Sequence, residues 1–233
     1  MQNKDYIKQN WDLIRNDVEQ TALKCGRNPG EIRIVAVAKT HPAEFVVAGV
    51  LAGIKVIGEN YVQELTEKHA QISAMPVPQP EWHFIGHLQT NKVKYIAPFI
   101  TMIHSVDSLH LAEEISKAAQ KNDRTIDVLL QVNTSGEESK FGCEPAKVPD
   151  LAESALQLPY IKVHGLMTIG TFTELEEQSI KEFRLLRNLC DEINRKLYVN
   201  LTQLSMGMTH DYRLAIAEGA TYVRIGTAIF GER

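Results

Sequence analysis

Eight short apolar runs alternate with seven amphipathic segments along the chain, and nothing else in the sequence constrains the fold as strongly. The runs are 32–38, 56–58, 82–85, 102–106, 128–132, 163–169, 203–206 and 222–225. The segments between them, 43–52, 61–74, 91–97, 109–121, 145–156, 174–196 and 211–218, carry helical spacing. Strands that alternate with helices predict βα units and a parallel sheet. Most runs are apolar at consecutive positions, as strands covered on both faces require. A count of eight fits a single (β/α)8 TIM barrel. A doubly wound open sheet is the structural alternative. Upstream, Ile7, Trp11, Ile14, Val18, Ala22 and Cys25 form one helical stripe, which Gly26 and Pro29 end. We therefore expect one domain over 1–233, with residues 1–26 as an extra N-terminal helix packed on the barrel.

Composition narrows the class of protein. Of 233 residues, 44% are hydrophobic and 23% charged, which excludes a disordered or fibrous chain. The net charge is −4 with no basic block, so no nucleic-acid partner is expected. Cys25, Cys143 and Cys190 are far apart and odd in number, the pattern of free thiols in a reducing compartment. The N-terminus has no apolar signal segment. The longest stretch without charge, 197–210, falls short of the ~20 apolar residues of a membrane span. The expectation is a soluble cytoplasmic protein without membrane contact. The eight histidines show no paired metal-ligand spacing.

Lys39 follows the first strand in VAVAKTHP and is the only one of fifteen lysines at the C-terminal end of a convincing buried run. In a βα barrel that end is the mouth, where active sites sit. A lysine against apolar walls loses its charge more readily and can form a Schiff base with an aldehyde; the bland alternative is a snorkelling side chain. Asn60, with Gln63 three residues on, reads as the N-cap of the next helix, and its amide would still lie at the mouth. His83 alternates with Trp82 and Phe84 and reads as a hydrogen-bonded core residue. Ser205–Thr209 and Gly226–Thr227 join hydroxyl donors to glycine ahead of a helix. In phosphate-binding barrels, the loops after strands seven and eight often cradle the phosphate. Arg224 interrupts an apolar strand and should point into the barrel, where a guanidinium needs a partner such as a barrel carboxylate.

Taken in order, AVAKTHP, GENYVQE, EWHFIGHLQTNK, HGLMTIG, LSMGMTHD and VRIGTAIFG resemble the YggS/PROSC family of pyridoxal-phosphate (PLP) homeostasis proteins, from about residue 31 to the C-terminus. The resemblance implies a barrel of the alanine racemase N-terminal domain type. It implies PLP bound covalently to Lys39, and Ser205, Gly226 and Thr227 around the phosphate. Asn60 would lie near the ring, and Arg224 would face the pyridine nitrogen. It also implies a role in holding, buffering or delivering PLP, with apo-enzymes as recipients. A cation at the ring nitrogen disfavours the protonated electron sink that amino-acid chemistry uses. The chain also ends soon after Thr227, leaving no second domain to supply a base, so a monomeric carrier without efficient turnover is expected. The alternatives are an amino-acid racemase-like enzyme and, setting the resemblance aside, a Schiff-base aldolase acting on a phosphosugar.

Overall fold

The computed structural model describes residues 5–137 and 140–232. Eight parallel strands close into a barrel in sequence order. They are β1 Arg33–Val37, β2 Val56–Glu59, β3 Glu81–Phe84, β4 Met102–Val106, β5 Ile126–Gln131, β6 Ile161–Met167, β7 Gln203–Met208 and β8 Tyr222–Ile225. Pairing of β1 with β8 closes the ring, with Val35 beside Arg224 and Ala36 beside Ile225. This closure removes the open-sheet alternative.

The helices are α1 Asp5–Lys24, α2 Ala43–Leu51, α3 Val62–Ser73, α4 Val93–Ile96, α5 Leu109–Lys121, α6 Val148–Ala155, α7 Glu176–Leu197, α8 Tyr212–Ala217 and α9 Thr227–Phe230. The segments expected at 91–97 and 145–156 both open with a single 3-10 turn, which shortens α4 and α6. The helix expected after Gly226–Thr227 is the short α9, whose four residues carry no periodicity from which to read its bounds.

Side-chain alternation sorts the strands into two apolar sets. Val35, Val37, Val56, Ile85, Met102, Leu129, Met167 and Tyr222 pack together inside the barrel. Residues such as Ala36, Ile57, Phe84, Ile103, Leu130 and Ile225 join the helices in the outer layer. Each fully buried large side chain of this kind contributes roughly 1.5–3 kcal/mol.

Helix α1 buries Ile7, Trp11, Val18 and Ala22 and packs on α2, α8 and α9. Its polar edge ties the two ends of the chain together: Tyr6 donates to the Phe230 carbonyl at 2.9 Å, and Asn10 donates to the Ile229 carbonyl at 3.1 Å. Cys25 lies beyond the helix end and is exposed, so it drops out of the expected stripe. Among the described residues, no helix is long and apolar enough to cross a membrane.

Candidate functional site

Three neighbouring strands, β8, β1 and β2, bring Arg224, Lys39 and Asn60 to one sector of the barrel. Val37 pairs with Gly58, so the residues that follow them, Lys39 and Asn60, leave the barrel side by side. Lys39 is half-buried and precedes Thr40, whose φ of 67° lies in the left-handed region. Gly226 sits against β1 so closely that a Cβ there would be 3.2 Å from the Val37 carbonyl oxygen. Thr227 and Ala228 open α9, and amides in a first helical turn have no intrahelical acceptor.

Asn60 is not the N-cap expected of it. The cap position is Tyr61, without a side-chain capping bond. Asn60 falls one residue too early, so its amide is released from the helix and continues the inward parity of Val56 and Gly58. Among the described residues its buried Oδ1 has no hydrogen-bond partner, which leaves an acceptor that a ligand could satisfy. Gly86 fixes this position from the next strand, because a Cβ on it would come within 2.2 Å of the Asn60 carbonyl oxygen.

Arg224 is 4% exposed, and among the described residues no carboxylate forms an ion pair with it. It donates instead to Ser205 Oγ at 2.8 Å and to the Thr168 carbonyl at 2.7 Å. Among the described residues these bonds use two of its five N–H groups. Burial pulls its pKa down to about 10, against the opposing charge of Asp211; it remains a cation at pH 7.

Ser205 lies within β7, as the expected run 203–206 already placed it, and the strand continues to Met208, so the loop starts later than the Ser205–Thr209 segment suggested. Leu204 and Met206 face the helices, so Ser205 faces inward and lies fully buried below the rim. Beyond it, Gly207 lets α8 approach β7: a Cβ there would sit 2.5 Å from the Ala215 Cβ.

A polar chain descends from Arg224 through the barrel. Ser205 Oγ lies 2.9 Å from His104 Nδ1, and His104 Nε2 lies 2.9 Å from His83 Nδ1. Burial lowers the pKa of both imidazoles, so each is neutral and carries one ring proton. Arginine can only donate. Ser205 accepts from Arg224, and the arrangement that turns an N–H of His83 towards the Glu81 carboxylate has Ser205 giving its proton to His104 Nδ1. His104 then holds its own proton on Nε2 and donates to His83, whose Nε2–H faces Glu81 at 3.8 Å. These tautomers follow from the hydrogen-bond pattern. Glu81 is held at about 2 by His83 and Arg33. The Arg33 contact at 2.7 Å is the effective cause, because 3.8 Å is too long for a hydrogen bond. His83 is thus a core residue, as read from the sequence, but one wired to the site.

On the outer side of β1 and β2 lies a cluster the sequence reading missed. Lys68 Nζ donates to Glu59 Oε1 at 2.6 Å, to the Ala38 carbonyl at 2.8 Å and to Glu64 Oε2 at 3.2 Å. Its signal was available, since Leu65, Lys68 and Ile72 share the buried face of α3. Burial raises the Glu59 pKa to about 7, against the lowering effect of Lys68.

The consequence for stability has a definite sign. An unfolded chain releases this proton near pH 4.5, while the folded chain keeps it to about pH 7. The folded state binds more protons in that window, so this group's contribution to stability falls as pH rises from 4.5 to 7. Glu59→Gln should remove that slope. Denaturant unfolding from pH 4.5 to 7 should show the variant gaining on the wild type as pH rises, and parallel curves would contradict the assignment. Glu81 acts in a separate, lower window, where its stabilisation is lost as pH falls from 4.5 towards 2.

A groove of about 1030 Å³ opens beside the mouth, lined in part by Asn60, Tyr61, Gly86, His87, Phe141 and Ile169. Lys39, Gly226 and Thr227 do not line it. It runs outward from Asn60 over α3 and α4.

Comparison with known proteins agrees with the barrel fold. The profile of the alanine racemase N-terminal domain family matches residues 3–233, which gives the class of barrel. An alanine racemase of Clostridium difficile shares the fold at 14% identity and a TM-score of 0.74, covering 98% of this chain and 57% of its own. Closer relatives are full-length. The pyridoxal phosphate homeostasis protein of Aquifex aeolicus is 46% identical over 216 residues, 93% of each chain. Its namesake in Escherichia coli K12 is 37% identical over 229 residues, 97% of each. PipY of Synechococcus elongatus, solved with PLP bound, matches with a TM-score of 0.85 at 32% identity, covering 97% of this chain and 100% of PipY. The chain belongs to the pyridoxal phosphate homeostasis protein family.

Proposed function

We propose that this protein binds PLP at the barrel mouth, covalently through Lys39, and holds, buffers or delivers the cofactor without efficient turnover of its own. One observation carries the reading. Lys39, the buried unpartnered Asn60 Oδ1 and the cation Arg224 rise from three adjacent strands. The residues fit the group: an amine for the aldehyde, spare donors on Arg224 for the pyridine nitrogen, a polar side chain beside the ring, and the backbone amides at Gly226–Thr227 with the Thr227 hydroxyl for the phosphate.

Bound PLP supplies an electrophilic aldehyde and an aromatic ring that can withdraw electrons from an attached amine. The chain's residues hold it in the following ways. Lys39 anchors it, and Gly226 and Thr227 orient the phosphate through the start of α9. Asn60 contacts the ring. Ser205, expected beside the phosphate, serves by holding Arg224, to which its hydroxyl is committed. We place the protein in the cytoplasm as a monomer that hands PLP to apo-enzymes; PipY with PLP bound and the names of the full-length relatives support the cofactor part of this reading.

The phosphate contact is tested by Thr227→Val. Losing one donor to a charged group costs roughly 1.5–3 kcal/mol, about ten- to a hundredfold in affinity. The loss should appear with PLP and be absent with unphosphorylated pyridoxal; equal losses would show that α9 does not read the phosphate. Delivery is tested by mixing the PLP-loaded protein with an apo PLP-dependent enzyme. Activity should return faster than with the concentration of free PLP in equilibrium with the carrier. Recovery at the free-PLP rate would leave a store and remove the delivery role.

A further inference from the structure

Lys39 is flanked by two backbone groups that a buried ion cluster holds in place. The carbonyl before it, on Ala38, accepts from Lys68 Nζ at 2.8 Å. The amide after it, on Thr40, donates to Glu64 Oε2 at 2.7 Å. Lys68 is only 5% exposed, and its three ammonium protons meet three acceptors: Ala38 O, Glu59 Oε1 and Glu64 Oε2. Glu59 is fully buried. One cluster therefore grips the chain on both sides of Lys39.

The grip coincides with backbone strain. Thr40 has φ of 67°, and a β-branched residue in the left-handed region is a genuine outlier. Such conformations persist where surrounding contacts over-determine them, and they gather at functional sites. The Glu64 bond to the Thr40 amide is one such contact. The turn is closed by the His41 amide on the Ala38 carbonyl at 3.1 Å; without the Glu64 bond that closure alone must hold the left-handed Thr40, and the Lys39 side chain loses part of its fixed origin.

We propose that Lys68, with Glu59 and Glu64, is a positioning cluster that sets Lys39 for covalent capture of PLP; this rests on the functional reading above. In the step concerned, the unprotonated ε-amine of Lys39 gives its electron pair to the aldehyde carbon. A C=N bond replaces the C=O bond, and the oxygen is displaced as water with the two amine protons. A condensation of this kind depends on how the amine is held. The cluster acts on the backbone of 38–40 from the outer face of the barrel and contributes nothing to the phosphate contacts on β8 and α9.

That separation supplies the test. Affinities are measured for PLP and for 4′-deoxypyridoxine 5′-phosphate, which keeps the ring and the phosphate but has a methyl group in place of the aldehyde. Wild type, Lys68→Met and Glu64→Ala are compared, together with the rate at which the covalent absorption band appears. In the variants, PLP affinity should fall about ten- to a hundredfold, capture should slow, and the deoxy ligand should bind within about twofold of wild type. Equal weakening of both ligands would make the cluster a general structural support and overturn the proposal. Unchanged affinity and rate for PLP would overturn it as well. If Lys68→Met does not fold, Glu64→Ala decides, because the Glu64 side chain is 30% exposed at the start of α3. Failure of the underlying reading looks different: wild-type protein would then form no adduct on Lys39.

Discussion

Replacing Lys39 with alanine abolishes covalent capture of PLP and leaves a weaker, reversible site. The barrel should tolerate the change, since Lys39 is half-buried at the rim and lies outside both apolar clusters. What remains is the phosphate grip near Gly226–Thr227 and the ring contacts of Asn60 and Arg224. The affinity of Lys39→Ala for PLP should therefore match, within about twofold, the affinity of wild type for 4′-deoxypyridoxine 5′-phosphate, because either comparison removes only the covalent bond. Equilibrium dialysis and absorption spectra check this. A variant that kept wild-type affinity and its absorption band would place the anchor on another residue.

The second large effect is a negative one. Incubated with PLP and a broad set of D- and L-amino acids in deuterated water, the protein should exchange α-protons no faster than free PLP. An ordinary enzyme works at about 1 per second or faster, so the expected difference is many orders of magnitude. The reason lies in Arg224. Its pKa, drawn down by burial only to about 10, keeps a positive charge against the place assigned to the pyridine nitrogen, where a protonated nitrogen would be repelled. The charge is also fixed in position. Ser205 and the Thr168 carbonyl hold the guanidinium, and the neutral His104 and His83 continue the hydrogen-bonded chain below. Neither imidazole is poised to gain a proton near neutrality, since burial lowers the pKa of both. Exchange at enzyme rates would overturn the carrier reading in favour of a racemase-like activity.

The scaffold was legible because it rests on long-range periodicity. Runs 102–106 and 222–225 coincide with β4 and β8, and segment 109–121 coincides with α5. The number and alternation of the strands fit a closed barrel but left an open sheet as the alternative, which the pairing of β1 with β8 removes. The misreadings have local causes. The loop after β7 looked earlier than it is because Gly207 suggested an early strand end, whereas the strand continues through that residue with φ of 87°. Asn60 looked like a cap because Asn at that spacing is a good capping residue; the helix starts two residues later, and the side chain serves the mouth. Arg224 was recognised as an inward cation, yet its partners are a hydroxyl and a carbonyl. A sequence does not show neutral acceptors gathering from β6 and β7. The Lys68 cluster left a signal, a lysine in the apolar stripe of α3, but a charged residue in a helical stripe is ordinarily solvated, and only the packing of α3 against the barrel buries this one.

Borohydride reduction of the PLP-loaded wild-type protein, followed by mass spectrometry of its peptides, tests the central claim most directly. Reduction should bleach the absorption band and fix the cofactor irreversibly. The account predicts a single phosphopyridoxyl adduct, on the peptide that contains Lys39. An adduct mainly on any other lysine, or PLP that dialyses away after reduction, would contradict it.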